Sequence, residues 1–204
     1  MKGVSRTIAT LAVAAATSFG CATKGDSSWV TLVDGEKGLE NFERVGDVNW
    51  RTEGGAIVGD KGKGGHLVSK KSYKDFQLQV EFWADHTTNS GIFMRCLDRN
   101  KITDKTCYEA NIFDMREDQT YATGGIVHRG AVKSPTKAGG RWNTYDITMK
   151  GTELVVRLNG VETSRINNTE LPGPGPITLQ FGNRPPKGDP GGAIKWRKVR
   201  IREL

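Results

Sequence analysis

From Phe76 to Trp83 apolar and polar residues alternate, with Phe76, Leu78, Val80 and Phe82 on one side and Gln77, Gln79, Glu81 and Trp83 on the other. Period two is the signature of a half-buried strand. Similar runs follow at Ile92 to Cys96, Tyr108 to Phe113, Asn143 to Met149, Leu154 to Leu158, Ile177 to Phe181 and Ile194 to Ile201. Asn159-Gly160 between two runs predicts a hairpin, because both positions tolerate positive φ. No window of useful length has helical period. The pattern therefore predicts an all-β protein, an antiparallel β-sandwich. Trp196 and Val199 differ in parity, so if both face the core the last strand carries a bulge.

One sheet of such a sandwich often curves, and its outer face becomes a groove lined by every second residue. With Leu78, Val80, Phe82, Ile92, Met94, Tyr108, Ala110 and Ile112 inside, the alternates Gln79, Glu81, Trp83, Phe93, Arg95, Glu109 and Asn111 face outward. Rings, an arginine, a glutamate and amides are what a sugar site uses: flat rings under C–H faces, planar polar groups on hydroxyls. Each has a plainer reading. Glu109 and Arg95 would also suit a cross-strand ion pair. Trp83 would suit a sheet edge, His66 and His128 structural or solvated positions, and Lys195 to Arg202 a solvated strand face.

The N-terminal residues follow a different pattern. Residues 1–20 carry Lys2 and Arg6, an apolar stretch from Ile8 to Ala16, then small residues before Cys21. This predicts a bacterial secretion signal, too short in its apolar part to span a bilayer. Gly20-Cys21 resembles a lipoprotein processing site with Cys21 as the lipidated residue, although Ser18 stands where such sites prefer leucine. Residues 21–28 read as a flexible tether and 29–204 as a single domain, exported to the cell envelope and touching membrane only through the lipid. In an oxidising compartment Cys96 and Cys107 are candidates for a disulfide. Strict alternation puts them on opposite faces, so the bridge requires an irregular strand end.

The chain has 204 residues, with 36% hydrophobic, 26% charged and 26 glycines that act as turn punctuation. Its 30 Lys+Arg against 23 Asp+Glu give +7; losing Lys2 and Arg6 with the signal leaves 28 against 23, or +5. That excess is not interleaved with stacking aromatics in a nucleic-acid motif, so no nucleic-acid partner is expected.

Several segments carry a family resemblance. Trp29 to Gly35, Gly55 to Gly59, Tyr73 to Phe76, Asn89-Ser90-Gly91-Ile92-Phe93-Met94-Arg95, Tyr108 to Asp114, Trp142 to Tyr145, Leu158-Asn159-Gly160 and Val199 to Leu204 resemble, in this order, the 3-keto-disaccharide hydrolase domain family. The resemblance implies a concanavalin-like jelly roll and activity on glycosides oxidised at C3, in a family where exported and lipoprotein members are common. Asn111 departs from it where many members have glutamine, and so does a Pro/Gly-rich insertion from Asn183 to Gly192.

The chemistry of such a substrate sets the requirements. A C3 ketone acidifies the C2 proton, so a base removes it while the C1 group leaves, and water then adds to the unsaturated ketone. The site needs a base, a cation or donors for the enolate oxygen, and an acid at the glycosidic oxygen. Glu109 is the expected acid/base and Arg95 the expected enolate partner, with His128 as a reserve base. Asn111 and Gln180 would position hydroxyls, Asp114 would sit at a rim or orient Arg95, and Glu81, Trp83 and Phe93 would contact the oligosaccharide. A direct retaining glycosidase fits less well, since its Glu-x-Asp-x-Glu strand is here Glu109, Asn111 and Phe113. A non-catalytic carbohydrate-binding module remains the alternative. No cofactor is implied; calcium stays open, although no acidic loop has a calcium-binding spacing.

Overall fold

The structure is a computed structural model that describes Met1, residues 28–182 and residues 191–204. The predicted signal, Cys21 and the tether up to residue 27, together with residues 183–190 of the Pro/Gly-rich insertion, lie outside the described residues. The strands are β1 (Val30–Asp34), β2 (Phe42–Val48), β3 (Arg51–Glu53), β4 (Ala56–Gly59), β5 (Gly62–Tyr73), β6 (Phe76–Ala84), β7 (Ser90–Met94), β8 (Tyr108–Ile112), β9 (Trp142–Lys150), β10 (Glu153–Leu158), β11 (Val161–Asn167), β12 (Gly175–Phe181) and β13 (Ile194–Glu203). Eight form one antiparallel sheet, β11-β10-β9-β6-β13-β4-β3 with β1 also on β13; five form the other, β2-β5-β12-β7-β8.

The inner faces close on one core. Leu78, Val80, Phe82, Tyr145, Ile147, Trp196 and Val199 of the large sheet meet Leu67, Leu179, Ile92, Met94 and Ala110 of the small one. Burying each large apolar side chain contributes about 1.5–3 kcal/mol, so the alternation sets which face of each strand turns inward. The predicted bulge is present: pairing of β13 with β6 shifts between Trp196 and Lys198, which lets both Trp196 and Val199 reach 0% exposure. The predicted hairpin is present too. Leu158 pairs with Val161 across Asn159 (φ 51°) and Gly160 (φ 82°), the two positive-φ positions that match strand twist.

The end of β7 supplies the required irregularity. Met94 is buried in the core, and Arg95 then takes a left-handed φ of 51°. Alternation breaks there, so Cys96 packs with Phe93 and bonds to Cys107, closing a loop with a sequence separation of 11. β2 and β5 show the opposite case, strands that the sequence pattern conceals. Their glycines read as turn material but serve close strand approach: a Cβ on Gly65 would stand 2.3 Å from the Val45 carbonyl oxygen.

Candidate functional site

The outer face of the five-stranded sheet holds a cavity of about 970 Å³. Its floor includes His66 of β5, Gln180 of β12, Phe93 of β7 and Glu109 of β8, and one wall is formed by residues 100–105 of the loop that the Cys96–Cys107 bridge ties at its base. Phe93 and Ile102 pack on that bridge. Register sets the floor: Gln180 pairs with His66, and Thr178 pairs with Phe93, which pairs with Glu109. The Phe93 and His66 rings meet edge to face at 5.0 Å. Glu109 lies over Gly91, where an added Cβ would come 2.8 Å from Oε1 and 3.1 Å from Cγ. Gly91 is thus the space the carboxylate needs. Gly91→Ala is expected to leave the melting temperature within a few degrees while displacing Glu109 and cutting turnover about 100-fold, a misplacement penalty read by comparing melts with initial rates.

Electrostatics single out the same residues. Burial pushes the Glu109 carboxyl up to about 8, nearby Asp104 adds to this, and Arg116 opposes it. At neutral pH Glu109 is therefore mostly a protonated acid, with an accessible basic form. His66 is pushed down to about 4 by burial and stays neutral. Its Nδ1 lies 3.0 Å from Thr178 Oγ1, and Nε2 has no partner among the described residues. Arg116 lines the cavity with a buried Nε that has no hydrogen-bond partner among the described residues, and the Gln180 Oε1 is likewise buried and unpartnered among them. These are polar groups that the cavity offers a ligand, beside the charged and amide side chains of its rim such as Lys63, Asn89 and Lys105.

Of the residues expected in the groove, Glu109, Phe93 and Gln180 line it. The others stand elsewhere. Arg95 is only 2% exposed and does not face the groove: it donates from Nε to the Lys74 carbonyl, from Nη1 to those of Gly151 and Leu171, and from Nη2 to Asp75. The left-handed turn at Arg95 sends the side chain off the outward parity. Asn111 keeps Glu109's parity but is covered: its amide donates to the Tyr121 carbonyl, and its backbone bonds to Gly124 and Gly125. Asp114 clamps backbone, accepting from the Ala138 and Gly139 amides and the Thr123 hydroxyl, and thereby fixes the turn that carries Arg116. His128 is half exposed behind the wall, with Nε2 3.1 Å from Asp104. Glu81 and Trp83 belong to β6 in the opposite sheet, so period two placed their face correctly and their sheet wrongly.

His66 and Arg116 are the site residues that the pattern did not place in the groove. For His66 the signal was its alternation with Leu67, hidden by the glycines before it; for Arg116, which lies beyond the end of β8, no period applies. Among the described residues no group of three or more His, Cys, Asp or Glu side chains converges as a metal site.

Among solved structures the chain is similar to a "putative glycosyl hydrolase" of Parabacteroides distasonis, at 25% identity and TM-score 0.69, covering 87% of this chain and 100% of that one. It is also similar to a carbohydrate binding module of Bacillus subtilis (12% identity, TM-score 0.54, 87% and 96% covered). A third is a Bacillus subtilis protein described as galectin-like in fold (8% identity, TM-score 0.55, 81% and 90% covered). The latter two likenesses speak for the lectin-type sandwich alone. No curated protein matches the chain. The 3-keto-alpha-glucoside-1,2-lyase-like domain is matched over residues 28–202, and the chain belongs to that family.

Proposed function

We propose that the groove binds a glycoside oxidised at C3 and cleaves it by elimination followed by hydration. The observation that carries this reading is a buried carboxyl, Glu109, held near pKa 8 in a solvent-reached cavity that also contains Arg116, whose buried Nε has no hydrogen-bond partner among the described residues. Ionised Glu109 takes the C2 proton, and the C2–H electrons form the enolate, whose oxygen Arg116 stabilises. The enolate then expels the C1 substituent with its bonding pair, and the proton on Glu109 passes to the departing oxygen. Water adds at C1 of the resulting enone and a proton returns to C2, so the net change is hydrolysis. His66 Nε2 and Gln180 fix hydroxyls. A sugar-binding module has no use for the acid, and burying a carboxyl without a partner costs stability.

The test is incubation of the purified protein with a 3-keto disaccharide. Free 3-keto sugar is expected, and kcat/KM, corrected for uncatalysed elimination, should rise about tenfold per pH unit and level off near pH 8, because the ionised form acts first. Binding without release of free sugar, or a profile flat from pH 5 to 9, overturns the proposal.

A further inference from the structure

We propose that the outer face of the eight-stranded sheet, opposite the groove, docks the domain on the anionic surface of a lipid bilayer. This is independent of the groove's chemistry. On β13 the residues Ile194, Trp196, Val199 and Ile201 are buried, and Lys195, Arg197, Arg200 and Arg202, interspersed with and following them, stand on the outer face. Three tryptophans lie beneath these cations. Lys195 is 4.8 Å from the Trp83 ring, Arg197 is 4.2 Å from Trp142, and Arg200 and Arg202 are 4.8 and 5.1 Å from Trp29.

The charge of this face is only partly cancelled. Arg197 has Glu81 at 2.8 Å, whereas Arg200 and Arg202 donate to the neutral amides of Gln79 and Gln77. Asp146 accepts from the Gln79 amide and has no ion-pair partner among the described residues. A surface of indoles and arginines carrying excess positive charge fits an anionic partner, and two observations select lipid over acidic polysaccharide. First, a sugar stacks on a bare ring face, and a cation already lies over each of these three rings. Indole beside Arg or Lys is instead the pairing of the membrane–water interface. Second, Trp29, the residue just before β1, lies on this face beneath Arg200 and Arg202. If Cys21 is lipidated as the sequence predicts, the seven residues 22–28 reach at most about 25 Å, so the tether holds this face near the bilayer. The groove, on the other sheet, then opens away from the lipid.

The experiment is vesicle sedimentation with the full chain and with an Arg197→Gln/Arg200→Gln/Arg202→Gln variant, whose identical N-termini contribute equally. Wild type is expected to pellet with phosphatidylglycerol-containing vesicles, to be released by salt, and to bind at least about tenfold more tightly than the variant, since each cation near such a surface strengthens binding several-fold. A thermal melt establishes that the variant is folded; should it not be, Lys195→Gln/Arg197→Gln replaces it, with a loss of at least about threefold expected. Equal binding to phosphatidylcholine vesicles, equal binding by a folded variant, or no vesicle binding together with retardation in an alginate gel each overturns the proposal.

Discussion

Glu109→Gln is expected to lower turnover of a 3-keto disaccharide by about 10³ while raising the stability of the protein, the range a lost general acid/base commands. The two effects share one cause. The unfolded carboxyl has the ordinary value of 4.5 and the folded one about 8. Between those values the unfolded chain releases its proton first, so stability is full below about pH 4.5, falls as pH rises, and reaches its lowest level above about pH 8. The shift corresponds to at most about 5 kcal/mol at that plateau and about 3 kcal/mol at pH 7. Gln carries no charge, so the gap in melting temperature between variant and wild type should be small at pH 5 and wide at pH 8. Melts at the two pH values, set beside product release, test this. A gap that does not change with pH would remove the buried-acid argument, and unaltered turnover would remove Glu109 from the chemistry.

Arg95→Met is expected to cost 3–5 kcal/mol, roughly 10 °C in melting temperature for a chain of this size. The guanidinium joins three separate segments: Lys74-Asp75 between β5 and β6, Gly151 between β9 and β10, and Leu171 before β12. Asp75 also accepts from the Gly151 amide at 2.9 Å, so losing the cation loosens a whole corner. Arg95→Lys should recover little, because one ammonium cannot copy a planar fork reaching four acceptors. Chemical denaturation gives the free energy directly. A variant of normal stability that has lost turnover would return Arg95 to the reaction.

The contrast between these two residues shows what the sequence reveals and where it stops. Glu109 was legible because it sits inside a regular strand, where period two fixes its face. Arg95 follows an equally regular run but lies one residue past its end, in a left-handed conformation that no alternation encodes. Trp83 failed for another reason: strand order is set by pairing across the whole chain, and local pattern does not say which sheet a strand joins. His66 was obscured because glycines that usually mark turns here let β2 and β5 approach closely. Asn111 had the right face and the wrong exposure, since residues 119–126, which have no strand period, fold over it.

The Cys96–Cys107 bridge separates two kinds of change. Everything that sets the register of β7 against β8, and hence the seat of Glu109, lies outside the covalent ring; the groove wall formed by residues 100–105 lies inside it. Substitutions within the ring, other than at Asp104, whose charge helps raise the Glu109 carboxyl, can therefore reshape the cavity while leaving that register in place. The bridge makes the wall an interchangeable part on a fixed frame, and a natural place to graft a new ligand preference.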